Sequence, residues 1–257
     1  MICEKRNFLD LFKTVKPVLA MIHLKGDSRE EKLEIAKREI DQLIDNGMDA
    51  VIIENYFGNP DDVEEVLKYI YQERKHIIYG VNVLEDDKRA FELAIKYEAK
   101  FIQIDSVAGH LNIEEDKKFH DFIIQMREQT NAFVLGGVRF KYQPYLSGRS
   151  LEEDLKIGMS RCDGIVVTGE GTGLETDLEK IQVFRTIIGK DFPLVVGAGL
   201  TAENSGTQLS IADGAIIGSF LKDTYKDDGN VSVKHVNHFM ESLQKLRDQT
   251  ERKTILS

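Results

Sequence analysis

The chain contains no tryptophan, four prolines and two cysteines in 257 residues. Cys3 and Cys162 stand far apart and outside any CxxC pair, so neither a disulfide framework nor a thiolate metal site is expected, and the setting is read as reduced and cytoplasmic. Sparse proline and the absence of a low-complexity linker make one domain spanning 1–257 the expectation. No apolar run approaches the roughly 20 residues that cross a bilayer. The longest near the start is "PVLAMIHL", and no signal-peptide pattern precedes it, so no integral membrane segment is expected. Positive charge is also in deficit: 34 Lys plus Arg stand against 44 Asp plus Glu, for a net charge of −10 and a pI near 5.2. Such a surface disfavours nucleic acid and anionic lipid as partners. Finally, no P-loop, HExxH or GxSxG motif occurs, which removes the commonest nucleotide, metalloprotease and serine-hydrolase readings.

What the chain does have is a repeat of short apolar runs and longer charged, helically patterned ones. Eight runs qualify as strands: 18–24, 49–55, 77–83, 100–107, 132–140, 163–169, 193–199 and 213–219. They are β-branched and apolar on both faces, as strands buried on both sides of a parallel sheet are. The segments between them have helix length and amphipathic spacing. In "SREEKLEIAKREIDQLIDNG", Leu33, Ala36, Ile40, Leu43 and Ile44 form one face, Ser28 reads as the N-cap and Gly47 falls just past the end. "TAENSGTQLS" leaves room only for a short seventh helix. Eight such units predict an α/β fold, the (β/α)8 TIM barrel, in preference to an open doubly wound sheet. A short N-terminal helix within 1–16 is expected to pack against the barrel's bottom.

Chemistry in such barrels gathers where the strands end. Those ends carry His23, Glu54, Asn82, Asp105, Arg139 with Lys141, and Thr168. Strand alternation places Met21 with His23, Ile52 with Glu54, Gly80 with Asn82, Gln103 with Asp105, and Gly137 with Arg139 and Lys141. Each residue alone also has a structural reading, as a satisfied histidine, a cap or a solvated loop cation. Their coincidence over successive strands points to a shared mouth. His23, Glu54, Asp105 and Lys141 are the catalytic candidates. His or a carboxylate would serve as general acid or base, and Lys141 would stabilise an enolate or form a Schiff base. No redox cofactor is implied and no metal site is assigned. A divalent cation held by His23, Glu54 and Asp105 is the alternative reading of that trio. His235 and His238 read as packing or solvated residues of the last helix.

The seventh and eighth units end in glycine. Gly197 and Gly199 precede a helix start at Thr201, and Gly218 and Ser219 close the last strand. Glycine lets backbone amides approach an anion, and barrels of this kind frequently bind phosphate after strands seven and eight. Beside them lies "TGEGTG", residues 168–173. It fails as a dinucleotide fingerprint, because Leu174 stands where the third glycine is due, and it lacks the lysine of a P-loop. It is expected to wall a shared anion site, with Thr168, Gly169 and Glu170 at the mouth and Asn82 and Arg139 as further binding residues.

Several stretches in order, "PVLAMIHLKGDS", "GMDAVIIENYFGNP", "GVNVLEDD", "AKFIQIDSVAGH", "VTGEGTG", "VGAGLTAEN" and "ADGAIIGSFLK", resemble the BtpA/SgcQ family over roughly residues 17–245. The resemblance implies a TIM barrel related to phosphate-binding barrels, in a family named from photosystem I biogenesis with a second branch tied to sugar-uptake gene clusters. This chain departs from the family pattern at three places. Lys141 is followed by Tyr142 in place of histidine, the fourth strand offers Asp105 where the family tends to have asparagine, and "HLKGDS" lacks the family's first-loop prolines. Two functions are therefore weighed. One is an isomerase, epimerase or lyase acting on a small phosphorylated metabolite such as a sugar phosphate. The other is a non-catalytic assembly factor using the barrel as a scaffold. A homo-oligomer is expected for a barrel of this size.

Overall fold

The computed structural model describes residues 6–256. Eight parallel strands form it: β1 (Val18–Ile22), β2 (Ala50–Glu54), β3 (Tyr79–Asn82), β4 (Phe101–Ala108), β5 (Phe133–Val138), β6 (Gly164–Val167), β7 (Leu194–Gly197) and β8 (Gly214–Ile217). They hydrogen-bond in chain order, and β8 pairs with β1 to close the barrel. A helix follows each strand: α1 (Arg29–Ile44), α2 (Pro60–Glu73), α3 (Asp87–Lys96), α4 (Ile113–Arg127), α5 (Leu151–Arg161), α6 (Leu178–Ile188), α7 (Ser205–Ile211) and α8 (Val233–Leu256). Ser28 caps α1 as expected, its hydroxyl accepting from the Glu31 amide. The seventh helix is indeed short, at seven residues.

Alternation along each strand divides the apolar residues into two cores. Val18, Ala20, Ile22, Val51 and Ile53 pack outward beneath the helices. Leu19, Met21, Ile52, Phe101, Leu135 and Val166 fill the barrel interior. Each large side chain so buried contributes about 1.5–3 kcal/mol. Gly80 shows how closely the interior is filled, since a Cβ there would sit 2.3 Å from the Phe101 ring. The bottom is plugged by Phe8, whose ring meets Phe101 and Phe133 edge-on at 5.7 and 6.1 Å. Within the 1–16 stretch expected to hold a short helix, the described residues form a 3-10 helix, Phe8–Leu11, capped by Asn7. The beginning of that expected helix, residues 1–5, lies outside the described residues, as does Cys3.

The inward parity of the interior core continues upward into His23, Glu54, Asn82, Asp105 and Thr168, which is why polar groups from separate strands converge at one end. The fifth strand breaks the pattern. It stops at Val138, and Arg139 takes φ 49°, so the expected face shared by Gly137, Arg139 and Lys141 does not exist.

Candidate active site

A cavity of about 670 Å³ opens at the C-terminal ends of the strands. His23, Glu54, Asp105 and Lys141 all line it: His23 directly follows β1, Glu54 and Asp105 stand on β2 and β4, and Lys141 lies in the β5–α5 loop. Asn82, fully buried beneath them, donates its amide to Glu54 Oε1 at 2.8 Å and to Asp105 Oδ1 at 3.1 Å. His23 Nε2 lies 3.7 Å from Glu54 Oε2. Lys141 reaches across to donate to the Thr172 hydroxyl at 2.9 Å. The Thr172 amide in turn donates to the Tyr142 hydroxyl at 2.9 Å, which ties the sixth loop to the fifth.

Burial sets the protonation states. Glu54 is 6 % exposed, and desolvation, reinforced by the neighbouring Asp105 charge, raises its carboxyl to about 8. Burial likewise raises Asp105 and lifts Asp87 to about 7. Both cavity histidines move the other way. Desolvation, helped by the Lys222 ammonium, lowers His23, and desolvation lowers His110 to about 4. At neutral pH the 3.7 Å contact between His23 and Glu54 is therefore a pairing of two uncharged groups rather than a salt bridge, despite its geometry. A carboxylic acid beside an uncharged imidazole is an acid and a base ready at the same pH.

The glycine turns are in place but do different work from one another. Gly197, Gly199, Gly218 and Ser219 all line the cavity. Gly199 takes φ +66°, and a Cβ there would stand 2.3 Å from the backbone of Leu174 and Glu175, so this glycine lets the β7–α7 turn press against the sixth loop. Its neighbour Ala198 is held at φ 111°, a strained conformation for a residue with a side chain. Gly218 makes room for His23, whose Cε1 would lie 3.3 Å from an added Cβ. Ser219 donates its hydroxyl to Asp227 Oδ1 at 2.6 Å, which brings a carboxylate into the corner expected to receive phosphate.

Five residues assigned to the mouth from sequence lie off its lining. Asn82 supports the site from below. Arg139, turned out by its positive φ, donates to Asp154 Oδ2 at 3.0 Å and to the Arg149 carbonyl at 2.8 Å. Thr168 is buried and accepts from the Lys141 amide at 3.1 Å. Gly169 packs against the Glu175 carbonyl, 2.8 Å from where its Cβ would be. Glu170 is exposed, and its charge acts on Lys180 of α6. In "TGEGTG" it is Thr172 and Gly173 that face the cavity. Among the described residues no three His, Cys, Asp or Glu side chains are grouped to hold a metal ion. Asn82 stands between the Glu54 and Asp105 carboxyls and spaces them.

Sequence reading missed Tyr56, Asp87, Tyr142 and Asp227, all on the lining. Asp86 and Asp87 form a doublet in which one is the cap of α3, accepting from the Arg89 amide at 2.9 Å. The other turns to the cavity, a split that spacing does not reveal. Asp227 lies ten residues past β8 in a polar stretch that reads as loop. His110, in the loop after β4, also lines the cavity.

The BtpA family profile matches residues 14–245. An uncharacterized protein of Methanocaldococcus jannaschii is 26% identical, with 93% of this chain and 99% of that protein covered. The photosystem I biogenesis protein BtpA of Synechocystis sp. is 25% identical, with 96% of each covered. The putative sgc region protein SgcQ of Escherichia coli K12 is 27% identical, covering 93% and 98%. Among solved structures, 3-hexulose-6-phosphate synthase from Salmonella typhimurium superposes with TM-score 0.61 at 12% identity, over 90% of this chain and 99% of that one. Phosphoribosyl anthranilate isomerase from Thermus thermophilus gives 0.58 at 12%, over 90% and 100%. At such identities these likenesses concern the fold. Among the described residues no helix is long and apolar enough to cross a membrane.

Proposed function

The chain belongs to the BtpA family, and from that premise we propose that it is an enzyme acting by acid/base chemistry on a small phosphorylated metabolite, a sugar phosphate in the first instance. The reaction class is isomerase, epimerase or lyase. The observation that carries this reading is the buried contact at the mouth between Glu54 and His23, 3.7 Å apart, where burial raises the carboxyl and lowers the imidazole. One group can deliver a proton and the other can take one at the same pH, which is what moving a hydrogen next to a carbonyl requires. Lys141 supplies the positive charge that an enolate oxygen calls for, and no redox cofactor enters. Two of the superposing folds belong to enzymes whose names include phosphate esters, which supports phosphate as the handle. Gly197, Gly199 and Gly218 are its proposed seat, and Ser219, engaged with the Asp227 carboxylate, is left out of it. Self-association belongs to the same reading, and light scattering reads it directly.

A second reading, a scaffold for assembly of a larger complex, is favoured by the name of the Synechocystis relative and by Tyr142 and Tyr145 standing 74% and 59% exposed at the rim. The experiment that separates the two is calorimetric binding of a panel of pentose and hexose phosphates. The wild type should bind at least one, and His23→Ala combined with Asp105→Asn should abolish that binding. Binding or a cellular phenotype that survives both changes would remove the enzyme reading and leave the scaffold.

A further inference from the structure

His23 stands between two carboxyl groups, and the arrangement determines where its proton sits. Nε2 is 3.7 Å from Glu54 Oε2, and Nδ1 is 3.9 Å from Asp227 Oδ1. Nδ1 is buried and makes no hydrogen bond of good geometry, and both the carboxylate and the backbone of Asp227 act on the ring. The ring has little freedom to find one elsewhere, because it lies over Gly218 and is covered by Tyr56, 5.0 Å away between centroids. Asp227 is presented by a braced strap. Lys222 and Val231 form an antiparallel bridge at its base, the Asp223 amide donates to the Asn230 carbonyl at 2.8 Å, and Lys25 holds Asn230 Oδ1 at 2.8 Å. Ser219 steadies the carboxylate itself by donating to Oδ1 at 2.6 Å. Each gap to His23 closes to hydrogen-bond length with a movement of about 1 Å.

A neutral imidazole has one N–H and one lone pair. The Asp227 carboxylate can only accept. Glu54 accepts from Asn82 on Oε1, so Oε2 is the oxygen left to carry a proton and donate. Only one tautomer satisfies both neighbours; the other aims a lone pair at a carboxylate. The remaining charged groups acting on the ring, Lys222 and Lys141, lie outside these two contacts and favour the neutral ring. We infer that Asp227 is a positioning residue, which holds the His23 proton on Nδ1 and so keeps Nε2 as a proton acceptor facing Glu54 and the cavity. When Nε2 takes a proton from the substrate and Glu54 gives one to it, an imidazolium and a carboxylate replace base and acid, with no proton gained or lost overall. The imidazolium then lies between two carboxylates. The use of this device rests on the acid/base reading above, but the tautomer is measurable without any substrate, so either can fail alone.

The test is long-range proton–nitrogen NMR on protein carrying ¹⁵N-histidine near pH 7, with His23 assigned through His23→Gln. The wild type is expected to show the Nδ1–H form. Asp227→Ala should shift the tautomer ratio toward Nε2–H by about tenfold or more, as loss of a charge-assisted hydrogen bond implies. Asp227→Asn, whose amide oxygen still accepts, should largely preserve Nδ1–H, and so should Ser219→Ala. A wild type found as Nε2–H overturns the inference without any variant. An unchanged ratio in a folded Asp227→Ala protein overturns it equally.

Discussion

Replacing Glu54 by glutamine isolates the energetic consequence of burying this carboxyl. Glutamine keeps an oxygen for Asn82 to donate to and is uncharged at every pH. In the wild type, moving the group from its ordinary 4.5 to about 8 favours the protonated form by about 5 kcal/mol, at about 1.4 kcal/mol per pH unit. Between those two values the folded protein holds a proton that the unfolded chain has released. Stability therefore falls as pH rises through the window, and the loss is complete above the folded value. The carboxyl is 6 % exposed, so solvent does little to screen the effect. Urea unfolding of both proteins from about pH 5 to about pH 9 should show Glu54→Gln gaining on the wild type throughout, with a final advantage on the order of 5 kcal/mol. The difference between the two curves matters, since other groups titrate in both. Parallel curves would mean that Glu54 ionises at its ordinary value, and the proton donor of the proposed mechanism would be lost.

Three further outcomes follow from the same contacts. Asp105→Asn removes the second-largest influence on Glu54, so carbon NMR of labelled glutamate should find it below about 8 yet above its ordinary range, because burial, the larger cause, remains. Glu39→Ala strands the buried Lys222 ammonium, which Glu39 meets at 2.8 Å, and should cost about 3–5 kcal/mol in denaturant unfolding; replacing both residues by apolar ones should recover most of it. Gly137→Ala places a Cβ 2.1 Å from the Asp105 carbonyl and should lower stability by about 1–3 kcal/mol in thermal melts. By moving the β4 strand it should also weaken any ligand binding that depends on Asp105.

The barrel was legible because its signal is repeated. Eight apolar runs separated by amphipathic segments admit few architectures, and the match of strands and helices to those runs follows from period 2 and period 3.6 alone. His23, Glu54 and Asp105 were legible for the same reason, as each continues the inward parity of its own strand. Arg139 was misread because one left-handed residue resets that parity, and apolar patterning carries no record of φ. Glu170 was misplaced within a loop whose glycines give no alternation to count. Thr172, two residues on, faces the cavity instead. Asp227 was invisible because its place depends on the local Lys222–Val231 bridge and on Lys25, which reaches Asn230 from 205 positions away. The conflict between a phosphate seat at Ser219 and the carboxylate found there appears only in three dimensions.

The central claim is that this mouth moves protons on a phosphorylated carbonyl compound, and hydrogen exchange reads that step directly. The protein is incubated in D₂O with a panel of aldose and ketose phosphates, and deuterium at carbons next to the carbonyl is followed by NMR. The wild type should label at least one compound, and His23→Ala should not. Absence of labelling in every compound by a folded wild type that nevertheless binds one of them would contradict the account.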